Sequence, residues 1–280
     1  QTNSLNFGLQ KARGIYVART DAGDISLPKR FGTQVVYLEA HLEVAVVGTG
    51  AIRYNPEGKV IDVLRMPGDA LTMRQMAVVT NPIIHISTMM RKDIIIKVGS
   101  YRLEYPIAAD YDLWSRLLKS SFSLVNIPDI LAGYEVSSES LNGIHRSGTL
   151  IKEVSKIIQS NVGAFTQHSI SLKQAEDLYK FFMLDMDMLS RDDIENTARL
   201  YAELMTTLQL PRREIHYQLL RKYAKYIACH RGGFSLNDRF AVARLFFEKS
   251  DGLFSWQGIV QDINRRWQGI LWRHNFLWKY

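Results

Sequence analysis

A short apolar run followed by two carboxylates is the feature that most constrains how this chain folds. Residues 15–18 predict a strand, and Asp21 and Asp24 follow it in a turn that contains Gly23. Carboxylates at the carboxyl end of a strand are well placed to hold a divalent cation against a phosphate, because Mg²⁺ and Mn²⁺ prefer hard oxygen ligands. The alternative is an ordinary surface turn, in which aspartate and glycine occur because turns favour them.

A helix is expected soon after this turn, with Ser26 as a candidate N-cap and Pro28 in the first helical turn. Farther along, residues 44–47 and 85–90 predict strands, and residues 110–118 predict a helix that begins at an aspartate. Strands that alternate with helices in this way are typical of an α/β domain.

The second half of the chain shows a different pattern, which is almost wholly helical from residue 149 onward. Helical periodicity is interrupted by polar or glycine-containing breaks and recurs in the segments 150–160, 171–189, 191–208, 211–229, 237–249 and 256–278. We therefore predict an α/β domain at residues 1–145 and a helical region at residues 146–280.

Composition narrows the classes of protein that this chain can belong to. A hydrophobic content of 46% is that of an ordinary globular protein. The single cysteine, Cys229, excludes an internal disulfide framework and suits a reducing, cytoplasmic compartment. The net charge of +7 favours polyanionic partners such as nucleotide diphosphates and acidic membranes. Nucleic acid is the weakest of these partners, because zinc-finger spacing and RNA-binding signatures are absent from the sequence, and we expect no nucleic-acid partner.

Two blocks of sequence occur in the order and at the separation of a known pattern. The first joins a short helix at residues 4–12 to the strand, the acidic turn and the segment Ile25–Arg30. The second runs from Asn81-Pro-Ile-Ile-His85 to Ala109-Asp-Tyr-Asp-Leu-Trp114. Together they resemble glycosyltransferase family 2, the inverting sugar transferases with a GT-A fold, from residue 5 to about residue 134.

The resemblance implies a function and a set of site residues. The protein would transfer a sugar from a nucleotide-diphosphate sugar to a glycan or lipid-linked acceptor of the cell envelope, with inversion of configuration. Asp110 matches the catalytic base, and Asp21 and Asp24 match the turn that holds Mn²⁺ or Mg²⁺ beside the diphosphate. Three further residues match positions near the acceptor cleft, namely His85, Asp112 and Trp114.

Structural roles for the same residues stay open. Asp110 can be merely the N-cap of its helix, and Asp112 merely a first-turn acid. His85 can be a strand histidine that is satisfied by the backbone. Trp114 can anchor the helix in the core.

Three departures from the family pattern fall where chemistry is done. Gly23 replaces a third aspartate that commonly binds the metal, and Ala109 replaces a glutamate that helps to position the acceptor or the base. Glu135 and Ser137 replace basic residues that face the diphosphate or the metal. These departures support a second hypothesis, in which the protein is a catalytically degenerate relative that binds a glycan or a partner protein.

The sequence begins, at Gln1, partway along the family pattern. A complete member would have roughly seventy residues before this point, judged by the size of two βα units. The resemblance therefore predicts an N-terminally truncated GT-A fold that lacks its first βα units and is followed by a helical C-terminal region.

The last segment of the chain suggests a membrane surface as a partner. Residues 263–280 place aromatic and aliphatic side chains on one helical stripe and basic side chains largely off it. Such a helix suits an anionic lipid surface, whereas the alternative is a terminal helix packed on the domain with a solvated basic rim. The expected location is the cytoplasm, including the cytoplasmic face of a membrane.

Overall fold

A computed structural model describes residues 2–136, 147–183 and 188–211, together with residues 215, 218 and 219. Contacts between Cα atoms group residues up to Leu210 into one unit and Pro211–Lys279 into another, and the elements described here belong to the first. The predicted helices beyond residue 211, the membrane-surface segment and Ser137 lie outside the described residues. The division of the chain near residue 145 stays a prediction.

A six-stranded mixed sheet forms the centre of the first unit. Its strands in chain order are β1 (Tyr16–Ala18), β2 (Ile25–Ser26), β3 (Val44–Tyr54), β4 (Val60–Leu64), β5 (Met89–Arg91) and β6 (Ser123–Glu135). The order in space is β1-β5-β3-β6-β2, with β4 paired to the end of β3. Strand β3 runs parallel to β6, and the other pairs are antiparallel.

Helices cover the sheet and continue beyond it. They are α1 (Thr2–Lys11), α2 (Arg30–Ala40), α3 (Ala70–Ala77), α4 (Lys92–Lys97), α5 (Ala109–Leu118), α6 (Gly148–Thr166), α7 (Leu172–Met183) and α8 (Arg191–Thr207). The predicted α/β architecture followed by a helical region is confirmed within the described residues. None of the helices described is long and apolar enough to cross a membrane.

One part of the core lies where α2 and the central strands meet. The first eight residues of β3 are buried, as a strand covered on both faces requires. A cluster of apolar side chains joins α2 to β3, β5 and β6, and it consists of Leu38, Val44, Val47, Met89 and Ile127. This cluster holds α2 against the sheet.

The predicted helix start at Ser26 is wrong. Ser26 lies in β2 and pairs with Ala132 of β6, so the chain is still extended there. Helix α2 begins at Arg30, after Lys29 in the left-handed region at φ 72°, and no side chain caps it. The cross-strand pairing overrides the local capping preference of serine.

The strand predicted at residues 85–90 is also partly wrong. Residues His85–Ser87 form a 3₁₀ turn, and only Met89–Arg91 form a strand. The hydroxyl groups of Ser87 and Thr88 donate to the carbonyl oxygens of Ile84 and His85, each at 2.8 Å. Such local bonds favour a tight turn over a ladder of interstrand bonds.

Arg30 is a buried arginine that connects several parts of the fold. Its side chain is 1% exposed, and burial lowers its pKa to about 10. Nη2 donates to the carbonyl oxygens of Arg19 (2.7 Å) and Thr88 (3.1 Å). Nη1 donates to Ser26 Oγ at 2.8 Å, and Nε donates to Gln34 Oε1 at 3.2 Å. One side chain thus links the end of β1, β2 and the turn before β5.

Replacing Arg30 tests this link. Arg30→Met keeps the apolar stem but removes four hydrogen bonds, among them the Arg30 donor to the Arg19 carbonyl oxygen. We therefore expect a loss of about 2–4 kcal/mol in the free energy of unfolding. Urea denaturation measures this loss. Arg13→Met, at an exposed position, removes the same charge and should change stability by less than about 0.5 kcal/mol. Equal stability of the two variants would contradict the proposed role of Arg30.

Candidate active site

The acidic turn between β1 and β2 presents two carboxylates on a closed loop of backbone. Asp24 N–H donates to the Asp21 carbonyl oxygen at 3.1 Å, and Asp21 N–H donates to Asp24 Oδ2 at 3.0 Å. Tyr54 from the end of β3 donates its hydroxyl to the Gly23 carbonyl oxygen at 2.7 Å. Gly23 has φ 94°, which residues with a Cβ rarely adopt, so the turn itself favours glycine where the family pattern has an aspartate.

The two carboxylates of this turn differ in their surroundings. Burial raises the pKa of Asp24, and the neighbouring charge of Asp21 raises it further, while the hydrogen bond from Asp21 N–H and the charges of Arg19 and Arg30 oppose the rise. Asp21 instead forms an ion pair with Arg19. The Arg19 guanidinium is largely buried and also donates to the Thr20 carbonyl oxygen.

A divalent cation fits this turn only if other ligands complete its shell. Within the ranges that the structure describes, no group of three or more His, Cys, Asp or Glu side chains could hold a metal ion. Two carboxylates completed by phosphate oxygens and water are, however, an ordinary Mg²⁺ arrangement. Asp21 and Asp24 are therefore suited to a cation that binds together with a phosphorylated ligand. Asp21 would then have to break its ion pair with Arg19 and bind the cation instead.

Asp110 lies at the start of α5 and is half-buried. Its Oδ2 accepts a hydrogen bond of 2.8 Å from Asn81 Nδ2. Asn81 is held in turn, because its Oδ1 accepts from Ile83 N–H at 3.2 Å. The prediction that Asp110 caps its helix is wrong, since the N-cap is Ala108 and Asp110 is already the second helical residue. The carboxylate is therefore oriented by a side chain and not by the amide groups of the helix.

His85 begins the 3₁₀ turn that precedes β5. Its Nε2 is 2.8 Å from the hydroxyl of Tyr101, which is buried. Burial lowers the pKa of His85, the charges of Asp110 and Asp21 raise it, and the charge of Arg19 lowers it. The charges that act on the pKa of the ring thus belong to the acidic turn, to Arg19 just after β1, and to α5.

Asp112 and Trp114 are placed differently. Asp112 is 5% exposed, and its Oδ2 accepts from Arg116 Nε at 2.9 Å. Trp114 is fully buried, with its ring 5.9 Å from that of His85. Both side chains hold α5 in the core, and neither presents a free face to an acceptor.

Partners of the site residues were missed from the sequence. Asn81 orients Asp110, Tyr101 contacts His85, and Tyr54 holds the acidic turn. The sequence signal that could have indicated Asn81 was its position four residues before His85, in the same block of the family pattern. Nothing local marks Tyr54 or Tyr101 as partners, because their contacts cross 31 and 16 residues of chain.

The buried environment of His85 predicts a dependence of stability on pH. Its pKa is lower in the folded state than the unfolded value of about 6.5, so the unfolded chain binds the proton first. His85 therefore reduces stability as the pH falls through and below about 6.5. In urea unfolding at about pH 7.5 and pH 5.5, His85→Gln should lose less stability on acidification than the wild type.

The control for this experiment is His41→Gln, which removes an exposed imidazole. It should lose as much stability on acidification as the wild type. An identical loss in the wild type and both variants would mean that His85 is not protonated differently in the folded and unfolded states.

Comparison with known proteins adds the chemical class. No protein-family model matches the chain. The amylovoran biosynthesis glycosyltransferase AmsE of Erwinia amylovora is 35% identical over 139 residues, which cover 50% of this chain and 52% of that protein. The O-antigen biosynthesis glycosyltransferase WbnJ of Escherichia coli is 30% identical over 139 residues, 49% of this chain and 54% of that protein. The chain is a homologue of glycosyltransferases.

Other relatives of this glycosyltransferase homologue carry more specific names. The UDP-Gal:alpha-D-GlcNAc-diphosphoundecaprenol beta-1,3-galactosyltransferase of E. coli is 27% identical over 138 residues, 49% of each chain. The chain spans about half the length of the curated relatives that it matches. Among solved structures, S. aureus TarS 1–349 in complex with UDP-GlcNAc aligns over 80% of this chain and 67% of that one, at a TM-score of 0.44 and 11% identity.

Proposed function

We propose that this protein transfers a sugar from a nucleotide-diphosphate sugar to a glycan or lipid-linked acceptor, with inversion at the anomeric carbon. The observation that supports this most is that the acidic turn and Asp110 are both bonded to the segment around His85. Arg19 N–H, just before the turn, donates to the Thr88 carbonyl oxygen at 2.9 Å, and Asn81 Nδ2 donates to Asp110 Oδ2 at 2.8 Å. A general base for the acceptor hydroxyl and carboxylates suited to a cation beside the diphosphate are the two requirements of this reaction. The names of the relatives, which include a galactosyltransferase acting on a diphosphoundecaprenol-linked sugar, support a cell-envelope acceptor.

Asp110 is the proposed general base. Asn81 occupies Oδ2, and within the described part of the chain no hydrogen bond to Oδ1 is found, which leaves that oxygen able to take a proton. In the proposed step, the acceptor hydroxyl oxygen bonds to the anomeric carbon while the bond from that carbon to the phosphate oxygen breaks. The diphosphate leaves with the bonding electron pair, and the hydroxyl proton goes to Asp110.

Asp21 and Asp24 are the proposed ligands of Mn²⁺ or Mg²⁺. A bound cation would neutralise charge that develops on the departing diphosphate. The turn supplies carboxylates already brought together by backbone hydrogen bonds and by Tyr54. Arg19, displaced from Asp21, would remain beside the phosphates as a second positive charge.

Substitution of Asp110 tests the base. In the full-length protein with its nucleotide sugar and Mn²⁺, Asp110→Asn should lower kcat by about 10²–10⁴-fold, because general-base assistance contributes that much, while the Kd for the donor stays within a few-fold. Radiolabelled sugar transfer and calorimetric titration measure the two quantities. Asp129→Asn, at an exposed position on β6, changes the same charge and should leave both unaltered.

The same assay distinguishes a second candidate function, a catalytically degenerate relative that binds a glycan or a protein. Gly23, Ala109 and the exposed Glu135 favour this candidate, because none supplies the group that the family pattern has there. Full activity in Asp110→Asn would remove Asp110 from the mechanism. A wild type that binds a glycan and transfers no sugar from any common nucleotide donor would support the binding function.

Peripheral association with the cytoplasmic face of a membrane is a further part of the proposal. It depends on residues 263–280, where basic and aromatic side chains alternate around a predicted helix. Each basic side chain near an anionic bilayer contributes about 1 kcal/mol. The protein should float with phosphatidylserine-containing vesicles at low salt and dissociate at high salt. Deletion of 263–280 should abolish flotation and leave the thermal unfolding midpoint unchanged, whereas an unfolded deletion variant would mean that the helix is part of the core.

A further inference from the structure

The start of helix α5, which carries Asp110, is held by a residue from a distant part of the chain. The N-cap residue Ala108 has no side chain able to accept a hydrogen bond. Glu153 of helix α6 instead binds the backbone at and just before the N-cap, because its Oε2 accepts from Ile107 N–H at 3.0 Å and from Ala108 N–H at 2.8 Å. A carboxylate from α6 therefore stands at the positive end of α5.

Glu153 is an unusual carboxylate in its environment. Its residue is 6% exposed, and Oε1 is buried without a hydrogen-bond partner among the residues described. Burying a charged group and leaving one of its oxygens unpaired both oppose folding. The compensating interactions are the two charge-assisted bonds to the backbone just before Asp110. These bonds hold the backbone two and three residues before Asp110, the proposed base.

The rest of the contact between α5 and α6 fixes other parts of the helix. Asn161 Nδ2 donates to Ser115 Oγ at 2.9 Å in the middle of α5. Lys119 Nζ, after its last turn, donates to Ser160 Oγ at 2.8 Å. Of these contacts between the two helices, those of Glu153 are the ones at the start of α5, where Asp110 lies.

We propose that Glu153 is a positioning residue for Asp110, an inference that rests on the proposed function of Asp110 as the base. Glu153 fixes the backbone two and three residues before Asp110, and Asn81 fixes its carboxylate. The chain has Ala109 where the family resemblance implies a glutamate that helps to position the base, so a carboxylate from another element performs this task. The helical region that contains α6 is then part of the catalytic unit.

The experiment compares three variants of the full-length protein. Glu153→Ala removes both backbone bonds, whereas Glu153→Gln keeps an oxygen that can accept them. Asp177→Ala is the matched control, because Asp177 is an equally buried carboxylate of the helical region that is paired with Lys173 on its own helix. Thermal unfolding reports the loss of stability in each variant.

Amide hydrogen exchange reports whether Glu153 holds the backbone in solution. Exchange at Ile107 and Ala108 should accelerate at least about tenfold in Glu153→Ala, in comparison with the wild type and with Asp177→Ala. The carboxyl ¹³C chemical shift of Asp110 should move in Glu153→Ala and stay in place in Asp177→Ala. Unchanged exchange or an unchanged Asp110 shift in Glu153→Ala would overturn the proposal, and both readouts are independent of catalysis.

Kinetics supplies the readout that a merely stabilising contact would not change. Glu153→Ala should lower kcat about tenfold or more while the KM for the donor stays within about twofold, and Glu153→Gln should restore most of the loss. Asp177→Ala should leave kcat unaltered even where its unfolding temperature falls as far. Faster exchange with an unchanged kcat in Glu153→Ala would mean that Glu153 stabilises the start of α5 without positioning Asp110, and it would overturn the proposal. A wild type without transferase activity would overturn the proposed function, and exchange and the Asp110 shift would then decide whether Glu153 orders this helix start.

Discussion

The proposed site depends on the hydrogen bonds that the Arg30 guanidinium donates. It bonds to the carbonyl oxygen at the end of β1, from which the acidic turn departs, and to that of Thr88, which follows the His85 turn. Its neighbour Gln34 donates to the carbonyl oxygens of Val47 (3.0 Å) and Ser87 (2.7 Å). Helix α2 thereby holds the two irregular segments that bear the carboxylates and the histidine.

The charges of the proposed site suit a cation and an anion that bind together. Asp21, Asp24 and Asp110 are the carboxylates of the proposed site, and Arg19 is paired with Asp21. A site with three carboxylates would repel a nucleotide diphosphate unless a metal ion came with it. The raised pKa of Asp24 reflects the same excess of negative charge, since burial and the neighbouring carboxylate of Asp21 disfavour its charged form. Cation and donor are therefore expected to bind cooperatively.

The sequence predicted the parts of this structure that depend on local pattern, and it missed those that depend on long-range contacts. Apolar runs located β1 and β3, and the acidic turn and the helix of Asp110 were expected where they occur. Ser26 was misread because pairing with β6 keeps the chain extended, and no local signal shows that pairing. The bond from Asn81 to Asp110 spans 29 residues, and those from Ile107 and Ala108 to Glu153 span more than forty. A side chain's chemistry could be assigned from sequence, but its partner could not.

We propose that the acidic turn, His85 and Asp110 form one site for a cation and a nucleotide diphosphate. Paramagnetic broadening by Mn²⁺ tests it most directly, because the effect falls steeply with distance from the ion. With uridine or guanosine diphosphate present, Mn²⁺ should broaden the ring signals of His85 and the amide signals of the acidic turn far more than the ring signals of His168. The double variant Asp21→Asn, Asp24→Asn should lose this selectivity. Broadening that is absent from His85, or that persists unchanged in the double variant, would contradict the account.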